Sequence, residues 1–145
     1  MSLATSVIST PQRRPRTLRE VVQWGAEHGN VDGYLREFLD EFYLAREASV
    51  REVMLLEEPP MASDRHIDAY LGAVAEHLAG RYGVTVPGWA SAPARFLKAP
   101  FFPCGLDSLK ATLLVESPVA FRRRLIFVGS DPLYRPRREL DGRKP

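Results

Sequence analysis

The chain has 145 residues, 45% of them hydrophobic and 26% charged, which is the balance of an ordinary globular domain. This length suits one domain with its own core, and the apolar runs are too short to cross a membrane, which excludes a membrane-spanning protein. The net charge is only +2, and a single cysteine, Cys104, excludes an internal disulfide and favours a reducing compartment, so we expect a cytoplasmic protein.

The chain begins with a basic segment, since its first nineteen residues contain four arginines and no acid. Residues 1–16 are predicted to be a flexible basic arm, an interpretation that we favour over a transit peptide. The folded helical domain is predicted over residues 17–134. Residues 135–145 are predicted to form a second flexible basic tail.

Two helices are predicted before residue 45. Thr17 and Glu20 have the spacing of a capping box, so a helix should run from there to His28 and stop at Gly29. Residues 31–43 then repeat apolar side chains at helical spacing, with acidic residues between them. The apolar stripe consists of Val31, Tyr34, Leu35, Phe38, Leu39, Phe42 and Tyr43. This pattern predicts an amphipathic helix with an acidic outer face.

Two further helices are predicted before residue 84. Ser49 and Glu52 have the spacing of a second capping box, opening a short helix that two prolines end. Ser63 or Asp64 starts a longer helix, which Gly83 closes. Each of the four helices has one apolar stripe to bury, and their short connections favour packing of neighbours, so a helical bundle is expected.

The second half of the chain changes character after residue 86. Prolines recur at 87, 93, 100 and 103 among aromatic side chains, and this density forbids a long helix. The pattern of residues 106–115 is typical of a helix, and Ser117 followed by Pro118 is a helix-start signal. The predicted fold class is therefore all-α: a compact single-domain helical bundle with an irregular proline- and aromatic-rich segment and short C-terminal helices.

The sequence lacks a recognisable catalytic motif. Its three histidines have no second ligand at the spacing that a helical metal site requires. Cys104 stands among aromatic residues and is expected to be a small buried hydrophobe rather than a reactive thiol. Asp40 and Glu41 belong to an acidic helix face that solvent should keep ionised. We therefore expect no enzyme, metal site or cofactor, although acids and bases distant in sequence can still meet in a cleft.

Three arginines, Arg122, Arg123 and Arg124, interrupt the apolar run near the C-terminus. On a helix from Pro118 to Val128, the first two point away from the apolar arc and Arg124 lies at its edge, although residues 125–128 could instead be extended. Two interpretations stay open. In one, these arginines and the basic tail bind phosphates; in the other, they pair with carboxylates of the acidic helices or of a partner.

The charges are unevenly distributed along the chain. Residues 20–76 contain 13 acids and 4 bases, whereas residues 77–145 contain 12 bases and 5 acids. Such a division predicts either that the two halves neutralise each other on folding or that the protein has two surfaces of opposite sign.

A family resemblance lies in four segments, at residues 38–43, 57–60, 68–79 and 116–124. These read FLDEFY, EEPP, DAYL running to AEHLA, and ESPVAFRRR. In them the chain resembles a family of small uncharacterised bacterial all-helical proteins, over roughly residues 18–128. Members are often paired with a nucleotidyltransferase-like protein, in arrangements resembling toxin–antitoxin modules. The resemblance implies a partner-binding protein and supplies no catalytic residue; one departure is Leu125, where relatives often have a polar residue.

The expected function is a protein-binding module, the antitoxin-like partner of a two-gene bacterial module. The candidate contact residues are Asp40, Glu41, Phe96, Phe101, Phe102, Arg122, Arg123 and Arg124. For the phenylalanines, packing over the bundle is the simpler interpretation, because aromatic side chains are mostly core residues. The alternative function is nucleic-acid binding through the C-terminal arginine cluster, although the acidic half would repel a phosphate backbone. The sequence leaves the oligomeric state open.

Overall fold

The computed structural model describes residues 13–136, which form six α-helices and an irregular segment. The helices are α1 (Leu18–His28), α2 (Val31–Leu44), α3 (Ala48–Leu56), α4 (Arg65–Tyr82), α5 (Lys110–Glu116) and α6 (Val119–Arg122). No β-strand occurs in this range, so the predicted all-α fold class is confirmed. None of the helices within it is both long and apolar enough to cross a lipid bilayer.

The first two helices, α1 and α2, pack against each other across a two-residue connection. Thr17 caps α1 as predicted, because its hydroxyl accepts from the Glu20 N–H at 3.1 Å. Gly29 ends the helix at φ 64°, a left-handed conformation that glycine adopts without steric cost. The corner also requires Gly25, since a Cβ there would lie 2.6 Å from the Val31 Cα.

Helix α4 lies at the centre of the fold and contacts α3, α6 and the turns at residues 88–91 and 93–95. Asp64 caps it, accepting from the His66 N–H at 2.9 Å, and Gly83 ends it at φ 71°. Both predicted ends are therefore confirmed. Many of its buried residues are alanine or glycine, which let neighbouring segments approach its backbone closely.

The predicted capping box at Ser49 is wrong. Helix α3 begins at Ala48, and its N-cap residue makes no side-chain hydrogen bond. Glu52 does not reach back to the helix start, because its carboxylate accepts from the Thr85 N–H at 3.5 Å. The start of α3 is instead held by Arg51, whose Nε donates to the Phe42 carbonyl of α2 at 3.1 Å.

The second half is irregular where prolines are dense, as predicted, and has short 3-10 turns at residues 88–91, 93–95 and 107–109. Ser117 is buried but does not cap α6, because Pro118 occupies the N-cap position. The Ser117 hydroxyl instead donates to the Leu113 carbonyl at 2.6 Å and accepts from the Val128 N–H at 2.9 Å. It thereby joins the end of α5 to the chain that follows α6.

The predicted helix from Pro118 to Val128 is wrong, because α6 ends at Arg122. The chain reverses through Leu125, which has φ 66°, and Ile126 then forms an isolated parallel bridge with Phe101. Here the Phe101 N–H donates to the Leu125 carbonyl at 2.8 Å. Hydrogen bonding to a distant segment thus replaces the last turns of the predicted helix.

The core is one cluster of apolar side chains from α1 to α4, joined by residues of the second half such as Leu97, Phe121, Ile126 and Leu133. Cys104 lies outside this cluster and is exposed, so its predicted burial is wrong. Most of the predicted basic arm (1–16) and basic tail (135–145) lies outside the described residues, so both segments and their boundaries stay predictions. Residues near the two boundaries, Arg14 and Arg135, make hydrogen bonds with α2.

Candidate functional site

The acidic pair on α2, Asp40 and Glu41, contacts arginines of the same chain. Arg135 donates to the two Asp40 carboxylate oxygens at 2.9 and 3.2 Å, and Asp40 is only 7% exposed. Glu41 accepts from Arg14 at 3.2 Å and lies 3.7 Å from Arg16. The prediction that solvent surrounds Asp40 is therefore wrong, since an ion pair covers it.

The aromatic candidates do not share one surface. Phe101 stacks on the His66 ring with a centroid distance of 3.9 Å and an angle of 5° between the ring planes. Phe102 stacks on Phe127 at 5.2 Å, and the Lys110 ammonium lies 5.0 Å from the Phe102 centroid. All of these phenylalanine rings are partly or fully covered by neighbours in the chain, and packing accounts for most of their area.

The three consecutive arginines occupy three different environments. Arg122 is exposed, and Arg123 is about half exposed with its Nε 3.6 Å from Glu76. Arg124 is fully buried, and its Nη1 donates to Glu76 at 2.6 Å. The guanidinium groups of Arg123 and Arg124 both lie over the remaining aromatic candidate, Phe96. The predicted position of Arg124 at a helix edge is therefore wrong, and pairing with the chain's own acidic half is the arrangement that it adopts.

Arg124 also binds backbone carbonyls in the interior. Its Nη2 donates to the Ala90 carbonyl at 2.6 Å and its Nη1 to the Ala120 carbonyl at 2.9 Å. Burial lowers the pKa of Arg124 from its ordinary value, and the Glu76 carboxylate opposes this shift. The side chain thus joins α4, α6 and the turn at residues 88–91.

A second buried arginine, Arg95, was not singled out from the sequence. Its Nη2 donates to the Pro59 carbonyl at 2.7 Å and lies 3.4 Å from the Glu58 carboxylate, while Nη1 donates to the Asp68 carbonyl at 3.3 Å. Its guanidinium lies 4.9 Å from the centroid of Trp89. A lone arginine between prolines gives no local signal, because every acceptor is at least 27 residues away in sequence.

Both buried arginines pass close to Gly72 in α4. A Cβ at this position would lie 3.0 Å from the Arg95 Cβ and 3.1 Å from the Arg124 Nε. Neither Nε has a hydrogen-bond partner within the part of the chain that the structure describes. These arginines therefore hold the irregular segment and α6 onto α4, and they are structural rather than ligand-binding groups.

Helix α5 and the turns beside it expose apolar side chains. We call this the α5 surface; it consists of Leu106, Leu109, Leu114, Val115 and Val119, with exposed fractions between 40% and 77%. Leu113 is the one buried leucine of α5. No function was assigned to this helix from the sequence. The available signal was that Val115 projects roughly opposite to Leu113, with Leu114 about 100° from each, so that the apolar residues extend around more than one side of the helix.

A pocket of about 350 Å³ lies between α2 and the start of α4. Its apolar lining consists of Val31, Leu35, Ile67, Leu71, Phe101 and Pro103, and its polar lining consists of Asp32, Asp64, His66 and Tyr70. Burial, with a smaller contribution from the Asp32 carboxylate, raises the pKa of Tyr70 to about 12. Among residues 13–136, no three His, Cys, Asp or Glu side chains are placed to hold a metal ion. Of the candidate residues predicted from the sequence, only Phe101 lines this pocket.

Comparison of the chain with models of protein families, with curated proteins and with solved structures gives no match. The resemblance to a bacterial partner-binding family therefore stays a hypothesis. Its function is therefore inferred from the surfaces of the molecule.

Proposed function

We propose that this chain is a protein-binding module whose partner covers the α5 surface. The observation behind this proposal is the exposure of Leu114 (48%) and Val115 (77%) on a helix that buries only Leu113. Scattered apolar residues are normal on a protein surface, but a helix with an exposed apolar side is typical of a contact with another protein.

Charge beside the α5 surface indicates the chemistry of the partner. Arg122 donates to the Val115 carbonyl at 3.4 Å, so its guanidinium lies at the edge of the apolar patch. No carboxylate of residues 13–136 forms an ion pair with it. A groove that is apolar at its centre and places a carboxylate opposite Arg122 would complement this surface.

The setting that we propose is the antitoxin-like half of a two-gene bacterial module in the cytoplasm. The family resemblance supports a nucleotidyltransferase-like companion, and the single cysteine favours a reducing compartment. In this proposal the acidic pair and the phenylalanines contribute to the fold, and the α5 surface takes over the role of contact site.

Co-expression with the protein encoded beside it, followed by affinity purification, tests the proposal. Leu114→Gln with Val115→Gln should weaken the complex by about 30-fold or more, because truncated anchor residues typically cost at least 2 kcal/mol. The control is Val53→Gln with Leu56→Gln on α3, another helix with two exposed apolar side chains (61% and 60%) but not part of the proposed contact. Equal weakening by both double variants, or no complex at all, would contradict the proposal.

The alternative function is nucleic-acid binding. Arg122 and Arg123 are exposed and could contact phosphates, whereas Arg124 is buried and could not. A mobility-shift assay over a salt series distinguishes the two functions, because phosphate contacts weaken steeply as salt is added. Two results would favour the alternative over the protein-binding proposal. One is nucleic-acid binding with a steep salt dependence, and the other is its loss in the double variant Arg122→Ala with Arg123→Ala.

A further inference from the structure

The pocket between α2 and α4 has the construction of a small-molecule site and uses different residues from the α5 surface. Its volume of about 350 Å³ lies at the low end of the range for ligand sites, about 300–1,000 Å³. Aliphatic side chains from both helices line it, and Phe101, from the irregular segment, stacks on His66 beside it. Burial of an apolar body would therefore drive binding here.

Two of the four polar residues of the lining are carboxylates, and the other two are His66 and Tyr70. Asp32 and Asp64 both line the pocket, and no lysine or arginine is among its described lining residues. Asp64 already caps α4, and Arg36 pairs with Asp32 from the next turn of α2. The Asp64 side chain is nevertheless 50% exposed and that of Asp32 is 81% exposed. Each carboxylate also has about four lone-pair positions for hydrogen bonds. Both carboxylates therefore retain capacity to bind a donor that enters the pocket.

The aromatic rings of the lining also favour a positively charged ligand. The faces of aromatic rings carry partial negative charge and attract cations within about 6 Å. Tyr70 and Phe101 supply such rings in the lining, with one face of Phe101 already stacked on His66. An anionic ligand would meet repulsion from the same groups.

We propose that this pocket binds a small organic cation, an apolar or aromatic body that bears an amine. The apolar lining would receive the body, and Asp32 and Asp64 would bind the ammonium group. A bare metal ion is a poorer candidate, because no three ligating side chains within residues 13–136 converge on it.

An NMR titration of the full chain with three probes of similar body tests this assignment. The probes are phenethylamine, which is cationic, 2-phenylethanol, which is neutral, and 3-phenylpropionate, which is anionic. We expect amide shifts in residues 31–35 and 64–71 with phenethylamine. Binding should be about tenfold weaker for the alcohol, because a charge-assisted hydrogen bond is replaced by a neutral one, and weaker still for the acid.

Asp32→Asn with Asp64→Asn removes both charges while asparagine retains the ability to cap α4. We expect this variant to bind phenethylamine about fivefold to tenfold more weakly than the native chain. The matched control is Asp107→Asn, a 91% exposed carboxylate outside the pocket lining, which should bind as the native chain does. Equal affinity for amine and alcohol, or shifts outside the pocket only, would overturn the proposal even if the double variant does not fold.

Discussion

Arg124 shows how a residue type that normally stays in water can become part of an interior. Its guanidinium is fully buried, yet it binds a carboxylate and two backbone carbonyls. Burying a charge costs free energy unless the charge is paired and hydrogen-bonded; here Nη1 and Nη2 are bonded, while Nε has no partner among the described residues. The stabilisation depends on these partners, since Ala90 and Ala120 would otherwise leave carbonyl groups without a donor.

Replacement of Arg124 by alanine should lower the free energy of unfolding by about 2–4 kcal/mol, because it leaves Glu76 and two carbonyls without their donor. Urea denaturation measures this quantity. Arg122→Ala is the control: its side chain is exposed, so the change should stay within about 0.5 kcal/mol. Similar effects of the two replacements would mean that Arg124 is not held as described.

His77 should make stability depend on pH. Burial against Phe121 lowers the pKa of His77 from 6.5, as does Arg81, while Asp131 opposes the shift. The folded state therefore binds this proton less readily than the unfolded chain does. The free energy of unfolding should fall as the pH decreases through 6.5, and this contribution should stop changing below the lowered pKa.

Urea unfolding at pH 7.5 and at pH 5.5, for the native chain and for His77→Asn, measures the contribution. The native chain should lose more stability than the variant between these two pH values. An unchanged pH dependence in the variant would assign the effect to other groups.

Helix α4 is the element on which the rest of the fold is arranged. Its small residues let the irregular segment lie close enough for Arg95 and Arg124 to reach carbonyls across it. Helix propensity alone would favour alanine over glycine throughout this helix. Gly72 is therefore explained by packing, whereas Gly80, where a Cβ would meet nothing within 4 Å, has no such constraint.

Replacement of Gly72 and of Gly80 by alanine should change the stability of the fold in opposite directions. Gly72→Ala places a Cβ 3.0–3.1 Å from the two buried arginine side chains and should destabilise the fold by about 1–3 kcal/mol. Gly80→Ala meets no neighbour and should stabilise it by about 0.5–1 kcal/mol. Thermal unfolding of the two variants gives a matched comparison within one helix. A change in stability of the same sign for both variants would contradict the prediction.

The molecule as a whole neutralises part of its charge asymmetry on folding. Carboxylates of the acidic half pair with arginines of the basic half, as in Glu58 with Arg95, Glu76 with Arg124 and Asp40 with Arg135. The first of the two outcomes predicted from the charge pattern therefore describes these pairs. The partners are 37, 48 and 95 residues apart in sequence, so these pairs join the second half of the chain to its first half.

Truncation tests how far the packed domain extends. A chain ending at Ser130 loses the burial of Leu133, the 2.8 Å bond from the Tyr43 hydroxyl to the Leu133 carbonyl, and the pair between Arg135 and Asp40. It should be less stable by about 3 kcal/mol or more. A chain ending at Pro136 keeps all three contacts, and urea denaturation should place it within about 0.5 kcal/mol of the full chain. A stable chain ending at Ser130 would show that these contacts contribute little.

The ends of α1 and α4, the amphipathic α2 and the irregular segment are predictable from the sequence alone. The reason is that Thr17, Gly29, Asp64, Gly83 and the prolines act through backbone groups only a few residues away. Local signals fail where a distant group competes for the same atoms. Glu52 binds Thr85 rather than capping α3, and pairing with Phe101 ends the predicted helix at Arg122.

The candidate sites depend on tertiary structure almost entirely. Arg124 and Arg95 are buried because Glu76 and Pro59, which lie 48 and 36 residues away in sequence, meet them in space. The pocket joins two helices and Phe101, and the α5 surface exists because no described segment covers Leu114 and Val115. Periodicity identifies which side chains are apolar, but only the packing of distant segments determines which of them water still reaches.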